Sequence, residues 1–466
     1  MHPKAGCPRD STRPCSKEML DLSDKDFRRL LEESLGAVEA SKLAEALSGV
    51  PSASLRTNPF KLPEPPFPVA GPVPWSPHGF LLAERPCFTD DPFFHAGAYY
   101  VQDSSAMFPG RLFRQCAGRK ERPLRVLDLC AAPGGKTTDL AASLREACGD
   151  SFILVANEVN GQRAGVLRDN VALWGDPNVA VTSADPSAFA SLGGFFDVVV
   201  ADVPCSGEGM FRKDAGAVAD WSLQAVELCA ARQRRIIADA FPALAEGGTL
   251  IYSTCTFNRM ENDDNVQWIA GHLGAEVVKP EMPFSGILET ECGYALLPGR
   301  VPGEGQYAAV LRKTASSGPF RLRPVRGGNE SRHGGHAEWF SPKMSFSMRG
   351  DALWAVPERI GMEIAALDFL RPLSAGVRAG TVKGSVTVPS ADLALSLAFA
   401  GDAFPSAELD RKTALDFLSR DSIVLPDAPK GYVAVTFGGL PLGFVKNLGT
   451  RCNNLHPAAR RIRIRR

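Results

Sequence analysis

The sequence predicts an α/β fold built around a mostly parallel sheet, and three observations lead to this prediction. Between residues 124 and 314, short apolar runs alternate with segments whose apolar residues recur at helical spacing. A glycine-rich turn directly follows the first run. Carboxylates follow the next three runs, where the ends of parallel strands would line a ligand crevice. The predicted strands cover residues 126–129, 152–156, 179–182, 197–201, 249–252 and 307–311, with helices over 162–173 and 223–244.

The region before this sheet predicts a small helical unit and then an extended connection. Apolar residues recur at helical spacing in two groups: Phe27, Leu30, Leu31 and Leu35, then Leu43 and Leu47. Prolines are dense from Pro59 to Pro86, and this stretch cannot hold a regular helix because proline lacks a backbone N–H. We expect a flexible N-terminus over residues 1–20 and a separate unit over residues 21–110.

The region after residue 314 predicts further units. Residues 315–336 are rich in Gly, Ser and Arg, which is typical of a linker or an exposed loop. Residues 370–388 favour strands, and residues 431–446 predict two strands joined by a Gly-Gly turn. The last seven residues contain five arginines, which would attract a phosphate backbone, although a solvated basic tail explains them equally well. We expect units over residues 111–314, 315–390 and 391–466.

The overall composition excludes several classes of protein. Lys plus Arg and Asp plus Glu both number 52, so bulk charge names no partner. The 11 cysteines contain no C-x-x-C pair, which disfavours a disulfide framework and a metal site and favours a reducing cytoplasm. The N-terminus lacks a signal-like apolar stretch, and no run approaches the roughly 18 apolar residues of a membrane span. We therefore expect a cytoplasmic protein without a membrane partner.

The glycine-rich turn predicts a cofactor site. It consists of Cys130, Ala131, Ala132, Pro133, Gly134, Gly135 and Lys136. Glycines between a strand and a helix let the backbone approach a ligand closely, and helix N-termini bind anions. A phosphate-binding P-loop is excluded because Cys130 replaces its first glycine, and a dinucleotide fingerprint is excluded because Pro133 occupies the turn.

Acidic residues at the strand ends indicate the kind of ligand. Glu158 lies about 20 residues after the turn, where an acid can accept hydrogen bonds from both hydroxyls of a ribose. Asp185 follows the third strand and Asp202 follows the fourth. The pattern therefore predicts a ligand that contains adenosine.

Two cysteines follow the fourth and fifth predicted strands. Cys205 lies in Asp-Val-Pro-Cys and Cys255 in Ser-Thr-Cys-Thr. Adjacent strands lie roughly 4.8 Å apart, so these thiols can address one small substrate if the two strands are neighbours. A buried structural thiol is the usual fate of cysteine, and we assign that role to Cys130, Cys148 and Cys229.

Three segments resemble the signature segments of the Sun-type RNA cytosine-5 methyltransferases. They are residues 128–137, 202–213 and 252–257, and the Met-Phe-Arg-Lys sequence at 210–213 is closest to the bacterial RsmF branch, which acts on small-subunit ribosomal RNA. The flanking segments 54–58, 95–107 and 440–446 resemble the same branch. Residues 297–300 depart from the family, which has a Pro-His pair there.

This resemblance implies a Rossmann-like, S-adenosylmethionine-dependent domain with a seven-stranded sheet, a small α/β RNA-binding N-terminal extension and a PUA-like RNA-binding domain. It implies that Cys255 is the nucleophile that attacks carbon 6 of cytosine. Cys205 would assist loss of the carbon 5 proton and release of the enzyme. Asp202 would stabilise the protonated ring nitrogen 3.

The resemblance also assigns residues to the cofactor and to RNA. The turn at 130–136 would cradle the methionine part of S-adenosylmethionine, Glu158 would hold the ribose, and Asp185 would lie near the adenine. Arg163 is a further cofactor candidate, with a surface arginine as the alternative. Lys136 would touch the substrate or orient Asp202. Arg212 and Lys213 are predicted RNA phosphate contacts.

Alternatives from the sequence concern the substrate and the reaction. A transfer RNA cytosine-5 methyltransferase would use the same residues. A non-catalytic ribosome assembly factor is disfavoured because both cysteines and the glycine turn are intact. Methylation of a nucleobase amino group would need Pro-Pro and an aromatic residue after the fourth strand, unlike Val203-Pro204-Cys205-Ser206. The appended units make a monomer sufficient.

Overall fold

The structure is a computed structural model that describes residues 24–118, 120–316, 318, 320–322 and 334–463. The predicted flexible segment 1–20 lies outside this part of the chain. Helices α1 (Lys25–Leu35) and α2 (Ala37–Leu47) confirm the two predicted N-terminal helices, and their apolar faces are buried. Asp24 caps α1, because its carboxylate accepts the amides of Asp26 at 2.8 Å and Phe27 at 3.0 Å.

An antiparallel sheet with the strand order β2-β3-β1-β4 follows these helices. Its strands are β1 (Ser54–Thr57), β2 (Val69–Pro72), β3 (Gly79–Leu82) and β4 (Tyr99–Val101). The proline-dense stretch contributes β2 and β3 and, as predicted, no helix. Helices α3 (Pro92–His95) and α4 (Phe108–Cys116) complete the N-terminal region.

The central sheet has ten strands in the order β11-β12-β13-β9-β8-β5-β6-β7-β16, with β10 also paired to β13. The first nine of these along the chain are β5 (Leu124–Asp128), β6 (Phe152–Asn157), β7 (Val179–Thr182), β8 (Phe196–Asp202), β9 (Leu244–Thr254), β10 (Ala275–Val278), β11 (Leu288–Glu289), β12 (Tyr294–Leu296) and β13 (Gln306–Lys313). The five strands from β7 to β9 in this order are parallel, and β13 and β10 add antiparallel partners. These seven form the predicted sheet, which β11, β12 and β16 extend.

Helices connect the parallel strands and cover the sheet. They are α5 (Gly135–Cys148), α6 (Gly161–Trp174), α7 (Ala215–Asp220), α8 (Leu223–Ala240) and α9 (Asp263–Leu273). The strand residues between them are almost entirely buried, as apolar runs in a doubly covered parallel sheet should be. This arrangement brings the carboxyl ends of β5 to β9 to one edge.

Two further four-stranded sheets, β14-β15-β17-β18 and β19-β20-β21-β22, follow residue 334. Their strands and helices are β14 (Met344–Arg349), β15 (Ala352–Pro357), α10 (Gly361–Ala366), β16 (Ser374–Ala375), β17 (Val377–Lys383), β18 (Val386–Pro389), α11 (Ala391–Leu395), β19 (Ser406–Glu408), α12 (Arg411–Leu418), β20 (Gly431–Phe437), β21 (Leu440–Asn447) and β22 (Cys452–Asn454). The predicted hairpin is confirmed, and Gly438 and Gly439 both have positive φ.

The C-terminal region is joined closely to the central sheet. Strand β16 pairs antiparallel with β7, so this region supplies a strand to the edge of the central sheet. Within the described residues no helix has the length and apolar character needed to cross a membrane. The same residues contain no group of three or more His, Cys, Asp or Glu side chains arranged to hold a metal ion.

Candidate active site

The glycine-rich turn lies between β5 and α5 and leaves backbone donors available. Gly134 has a φ of 116°, a conformation that favours glycine. Helix α5 begins at Gly135, and no side chain caps its N-terminus. The first amides of α5 therefore offer hydrogen bonds and a partial positive charge to an anionic group.

Asp128, which sequence reasoning did not single out, ends β5 beside this turn. Its Oδ2 accepts a 2.7 Å hydrogen bond from Thr137, whereas its Oδ1 is buried without a hydrogen-bond partner. Burial raises the pKa of Asp128 to about 7, and the nearby carboxylates add to this effect. The signal in the sequence was an aspartate directly after the apolar pair Val126 and Leu127 and two residues before the glycine-rich turn.

Glu158 and Arg163 lie together at the carboxyl end of β6. The buried Glu158 carboxylate accepts the Asn160 amide at 2.9 Å and lies 3.4 Å from the Arg163 guanidinium. Arg163 also donates to the carbonyl of Ala132 at 2.9 Å, so it contacts both predicted parts of the cofactor site.

Asp185 and Cys130 lie at the same edge of the sheet, but their side chains are less available to a ligand. The exposed Asp185 carboxylate accepts the amide and hydroxyl of Ser187 at 3.0 and 2.7 Å, and these bonds lower its pKa. Burial raises the pKa of the Cys130 thiol, which suits the predicted structural role of this side chain.

The two thiols at the ends of β8 and β9 are in contact. These strands are parallel neighbours with Asp202 opposite Ser253, as the predicted thiol pair required. The Sγ atoms of Cys205 and Cys255 lie 3.2 Å apart, and both cysteines are free. The hydrogen bond to Cys255, together with burial, raises the pKa of Cys205 well above its usual range. The protonated form of Cys205 is therefore favoured, and one thiol of the pair donates to the sulfur of the other.

Asp202 and Lys136 form an ion pair beside these thiols. The Lys136 ammonium donates to Oδ2 of Asp202 at 2.9 Å. Oδ1 of Asp202 accepts from the Ser253 hydroxyl at 2.8 Å and the Gln306 amide at 3.1 Å. Burial opposes the charge of Lys136, but the Asp202 carboxylate and then Cys255 outweigh it, and the pKa of Lys136 rises. Of the two roles predicted for Lys136, this contact favours the orientation of Asp202.

Two buried glutamates, both missed by sequence reasoning, hold the thiol loops. Glu208 accepts hydrogen bonds from the Phe257 amide at 2.7 Å and the Asn258 side chain at 2.9 Å. Glu261 accepts the Ser206 amide at 3.0 Å, and burial raises its pKa to about 7. Each carboxylate therefore connects the loop after β8 with the loop after β9.

The structure corrects the prediction that Arg212 contacts RNA. Its guanidinium is nearly buried and donates to Glu304 at 2.7 Å and to the carbonyl of Gly303 at 2.5 Å. An arginine committed to these partners packs the Gly-Glu-Gly segment against the site and is not available to a phosphate. Lys213 lies 3.3 Å from Asp103 and is partly exposed, so its RNA contact stays a prediction.

The arginines at the C-terminus also differ in exposure, which the sequence does not indicate. Arg460 is largely buried and donates to Asp392 at 2.7 Å. Arg461 and Arg463 are exposed, and Arg465 and Arg466 lie outside the described residues. The basic surface at this end is therefore smaller than five arginines would give.

Comparison with known proteins decides the family. The family of 16S rRNA methyltransferases RsmB/F matches residues 119–312, the N-terminal domain of RsmF matches 24–104, and the methyltransferase RsmF PUA domain matches 404–462. Ribosomal RNA small subunit methyltransferase F of Cronobacter sakazakii is 35% identical over 419 residues, which cover 83% of each chain. This chain belongs to the RsmF family of methyltransferases.

Two solved structures from Pyrococcus horikoshii resemble this RsmF-family chain. A methyltransferase homologue is 25% identical, with a TM-score of 0.52 over 61% of this chain and 93% of that chain. The structure of NSun6 with SFG is 19% identical, with a TM-score of 0.51 over 63% and 98% of the two chains, and shows the fold alone. The fold is that of S-adenosylmethionine-dependent methyltransferases.

The residues at the sheet edge fit S-adenosylmethionine as the cofactor of this RsmF-family enzyme. The uncapped start of α5 can bind its carboxylate, and the unpartnered Oδ1 of Asp128 can accept a donor from the ligand. Glu158 would hold the ribose. When bound, the cofactor supplies an electrophilic methyl group.

Proposed function

We propose that this protein transfers a methyl group from S-adenosylmethionine to carbon 5 of a cytosine in small-subunit ribosomal RNA. The observation that carries the proposal is the contact between Cys205 and Cys255, whose sulfur atoms lie 3.2 Å apart. Relatives named as ribosomal RNA small subunit methyltransferases, and the PUA match, support this class of RNA.

Cys255 would carry out the first step. Carbon 5 of cytosine is a poor nucleophile because the electron density of the ring is delocalised. Addition of the Cys255 thiolate to carbon 6 moves an electron pair to carbon 5 and gives a reactive enamine. Asp202, fixed by Lys136 and Ser253, would hydrogen-bond ring nitrogen 3 as it gains a proton.

Cys205 would act after carbon 5 has received the methyl group. The carbon 5 proton must then leave, and its electron pair expels the Cys255 thiolate from carbon 6. While Cys255 is bonded to the ring, its sulfur is a thioether and a weak acceptor, so the hydrogen bond that is the main cause of the raised Cys205 pKa is weakened. At this stage Cys205 can lose its own proton to solvent and accept the proton from carbon 5.

The units around this site would bring RNA to it. A cytosine within a duplex cannot reach two thiols at a sheet edge, so the target base lies in a loop or is flipped out. In our proposal the region 21–110 and the PUA-like domain at 391–466 bind RNA, while residues 111–314 catalyse the reaction. Residues 315–390 link these units, and residues 1–20 lie outside the described chain.

We further propose that the protein works as a monomer in the cytoplasm. One chain supplies the cofactor turn and both thiols, so the site needs no second copy. Free thiols persist in a reducing compartment.

Bisulfite sequencing of ribosomal and transfer RNA from cells with and without the gene tests the proposal. We expect one or more small-subunit cytosines to lose protection from conversion when the gene is deleted, and to regain it with the wild-type gene. Loss confined to transfer RNA would assign the other substrate class. Unchanged RNA of both kinds, with cofactor binding retained, would identify a non-catalytic assembly factor.

A further inference from the structure

Three carbonyls of the cofactor turn accept hydrogen bonds from side chains that lie outside both the turn and α5. Arg163 donates to Ala132 at 2.9 Å, Asn170 donates to Pro133 at 2.7 Å, and Arg56 donates to Gly135 at 3.0 Å. Arg163 and Asn170 belong to α6, whereas Arg56 belongs to β1 in the N-terminal region. The turn is therefore held by two separate parts of the chain.

Holding a carbonyl also fixes the direction of the amide in the same peptide group. In a trans peptide the carbonyl oxygen and the following N–H point in opposite directions. The bond from Asn170 to Pro133 therefore holds the direction of the Gly134 N–H. The bond from Arg56 to Gly135, together with the 3.1 Å bond from the Thr138 hydroxyl, holds that of the Lys136 N–H. These amides lie at the uncapped start of α5, where an anionic group would bind.

Arg56 is placed in a way that packing alone does not require. Its side chain is fully buried, and its guanidinium also contacts Thr138 of α5 at 2.5 Å and Gln102 at 3.1 Å. Asp139 lies 4.0 Å away and partly balances its charge. Burying an arginine carries a large desolvation cost, so contacts at the cofactor helix are a specific use of the charge.

The N-terminal region also approaches the turn directly. A Cβ atom at Gly135 would lie 3.3 Å from both Tyr100 and Gln102, so this glycine allows β4 and the residues after it to pack against α5. The Tyr100 hydroxyl lies 3.5 Å from the Asn170 side-chain amide, so β4 also contacts the α6 residue that holds the Pro133 carbonyl.

We propose that Asn170 and Arg56 are positioning residues for the cofactor, because they hold the Gly134 and Lys136 amides in the direction that binds it. The N-terminal region then completes the cofactor site in addition to any contact with RNA. The proposal rests on the S-adenosylmethionine site of the proposed function, but not on the identity of the RNA.

The test measures binding of S-adenosylhomocysteine to the full chain by calorimetry, without RNA. Asn170→Ala should raise the Kd about tenfold, since one hydrogen bond to the turn is lost. Asn170→Asp should raise it further because a carboxylate would repel the Pro133 carbonyl, and Asn170→Gln should recover part of the affinity. Arg168→Ala is the matched control, since the exposed Arg168 lies on the same helix and contacts Asp169.

Kinetic measurements distinguish a role of Asn170 in positioning the cofactor from a general role in protein stability. The KM for S-adenosylmethionine should rise in Asn170→Ala, while the KM for RNA and the kcat at saturating cofactor should stay within about twofold of the wild-type values. Folded Asn170→Ala and Asn170→Asp proteins with the wild-type Kd would overturn the proposal. Arg56→Lys should also raise the Kd, and an unfolded protein or an unchanged Kd would overturn the Arg56 part.

Because binding is measured without RNA, failure of this test leaves the bisulfite result intact. Failure of the bisulfite test, in turn, leaves the dependence of cofactor binding on Asn170 unaffected. The two proposals can therefore be judged separately.

Discussion

The two halves of the active-site edge are supported in different ways. The thiol half, after β8 and β9, is held by Glu208 and Glu261, which lie within about 60 residues of the thiols they support and in the same domain. The cofactor half, between β5 and β7, is held by regions far away in the sequence. Arg56 reaches the start of α5, and β16 pairs with the outer edge of β7.

The C-terminal end of α6 shows the same dependence on distant regions. The Leu173 carbonyl accepts from Lys61 at 2.8 Å, and the Trp174 carbonyl accepts from Asn58 at 3.1 Å. The Gly175 carbonyl accepts the Leu397 amide at 2.8 Å. Both flanking regions thus bond to the end of the helix whose first turn carries Arg163. The difference teaches that the glutamates bracing the two thiols come from the thiol loops themselves, whereas the cofactor turn also takes a direct hydrogen bond from Arg56 of the N-terminal region.

The largest expected effect is in the thiol half. Cys255→Ala should abolish methylation, because the thiolate that adds to carbon 6 in our proposal is removed. Cys205→Ala should still allow addition but block release, and a covalent RNA adduct should appear as a shifted band in a denaturing gel. Cys87→Ser, a change at a free cysteine of the N-terminal region, is the control. If the covalent adduct appeared in Cys255→Ala instead, Cys205 would be the nucleophile and Cys255 would assist release.

Glu208→Gln should weaken the thiol half and leave cofactor binding unchanged. The buried carboxylate accepts three donors, including Trp221 at 3.1 Å, and an amide would set an N–H against at least one of them. We expect a loss of about 2–3 kcal/mol in the free energy of unfolding and a lower rate of adduct formation. The Kd for S-adenosylhomocysteine in folded protein should not change. A weaker Kd would show that the halves are coupled.

The raised pKa of Asp128, in the cofactor half, predicts that the free energy of unfolding depends on pH. Its pKa is raised to about 7, so between pH 4 and 7 the folded protein holds a proton that the unfolded chain has released. Its contribution therefore makes stability fall as pH rises through this window, by roughly 1–3 kcal/mol. Denaturant unfolding of the wild type and Asp128→Asn across this range measures the difference. Parallel pH profiles would contradict the prediction.

The smallest expected effect concerns RNA contact at the rim of the thiol half. Lys213→Ala should weaken RNA binding a few-fold and reduce the salt dependence of log K by about one, as expected for the loss of one phosphate contact. Arg212→Lys serves as the comparison, because Arg212 is bound to Glu304 and its change should act on stability. An unchanged salt slope in Lys213→Ala would leave this lysine a structural partner of Asp103.

The sequence by itself determined the parallel sheet, the cofactor turn and the placing of two thiols at strand ends. Periodicity and burial along each segment encode these features, and parallel strands bring their carboxyl ends to one edge. Only the tertiary structure brought the two sulfur atoms together and raised the pKa of Cys205, because both depend on a 3.2 Å contact between residues 50 positions apart. It also decided that Arg212 is buried and that Arg56 supports the cofactor turn. Those roles come from partners 92 and 79 residues away, which no local pattern of the chain encodes.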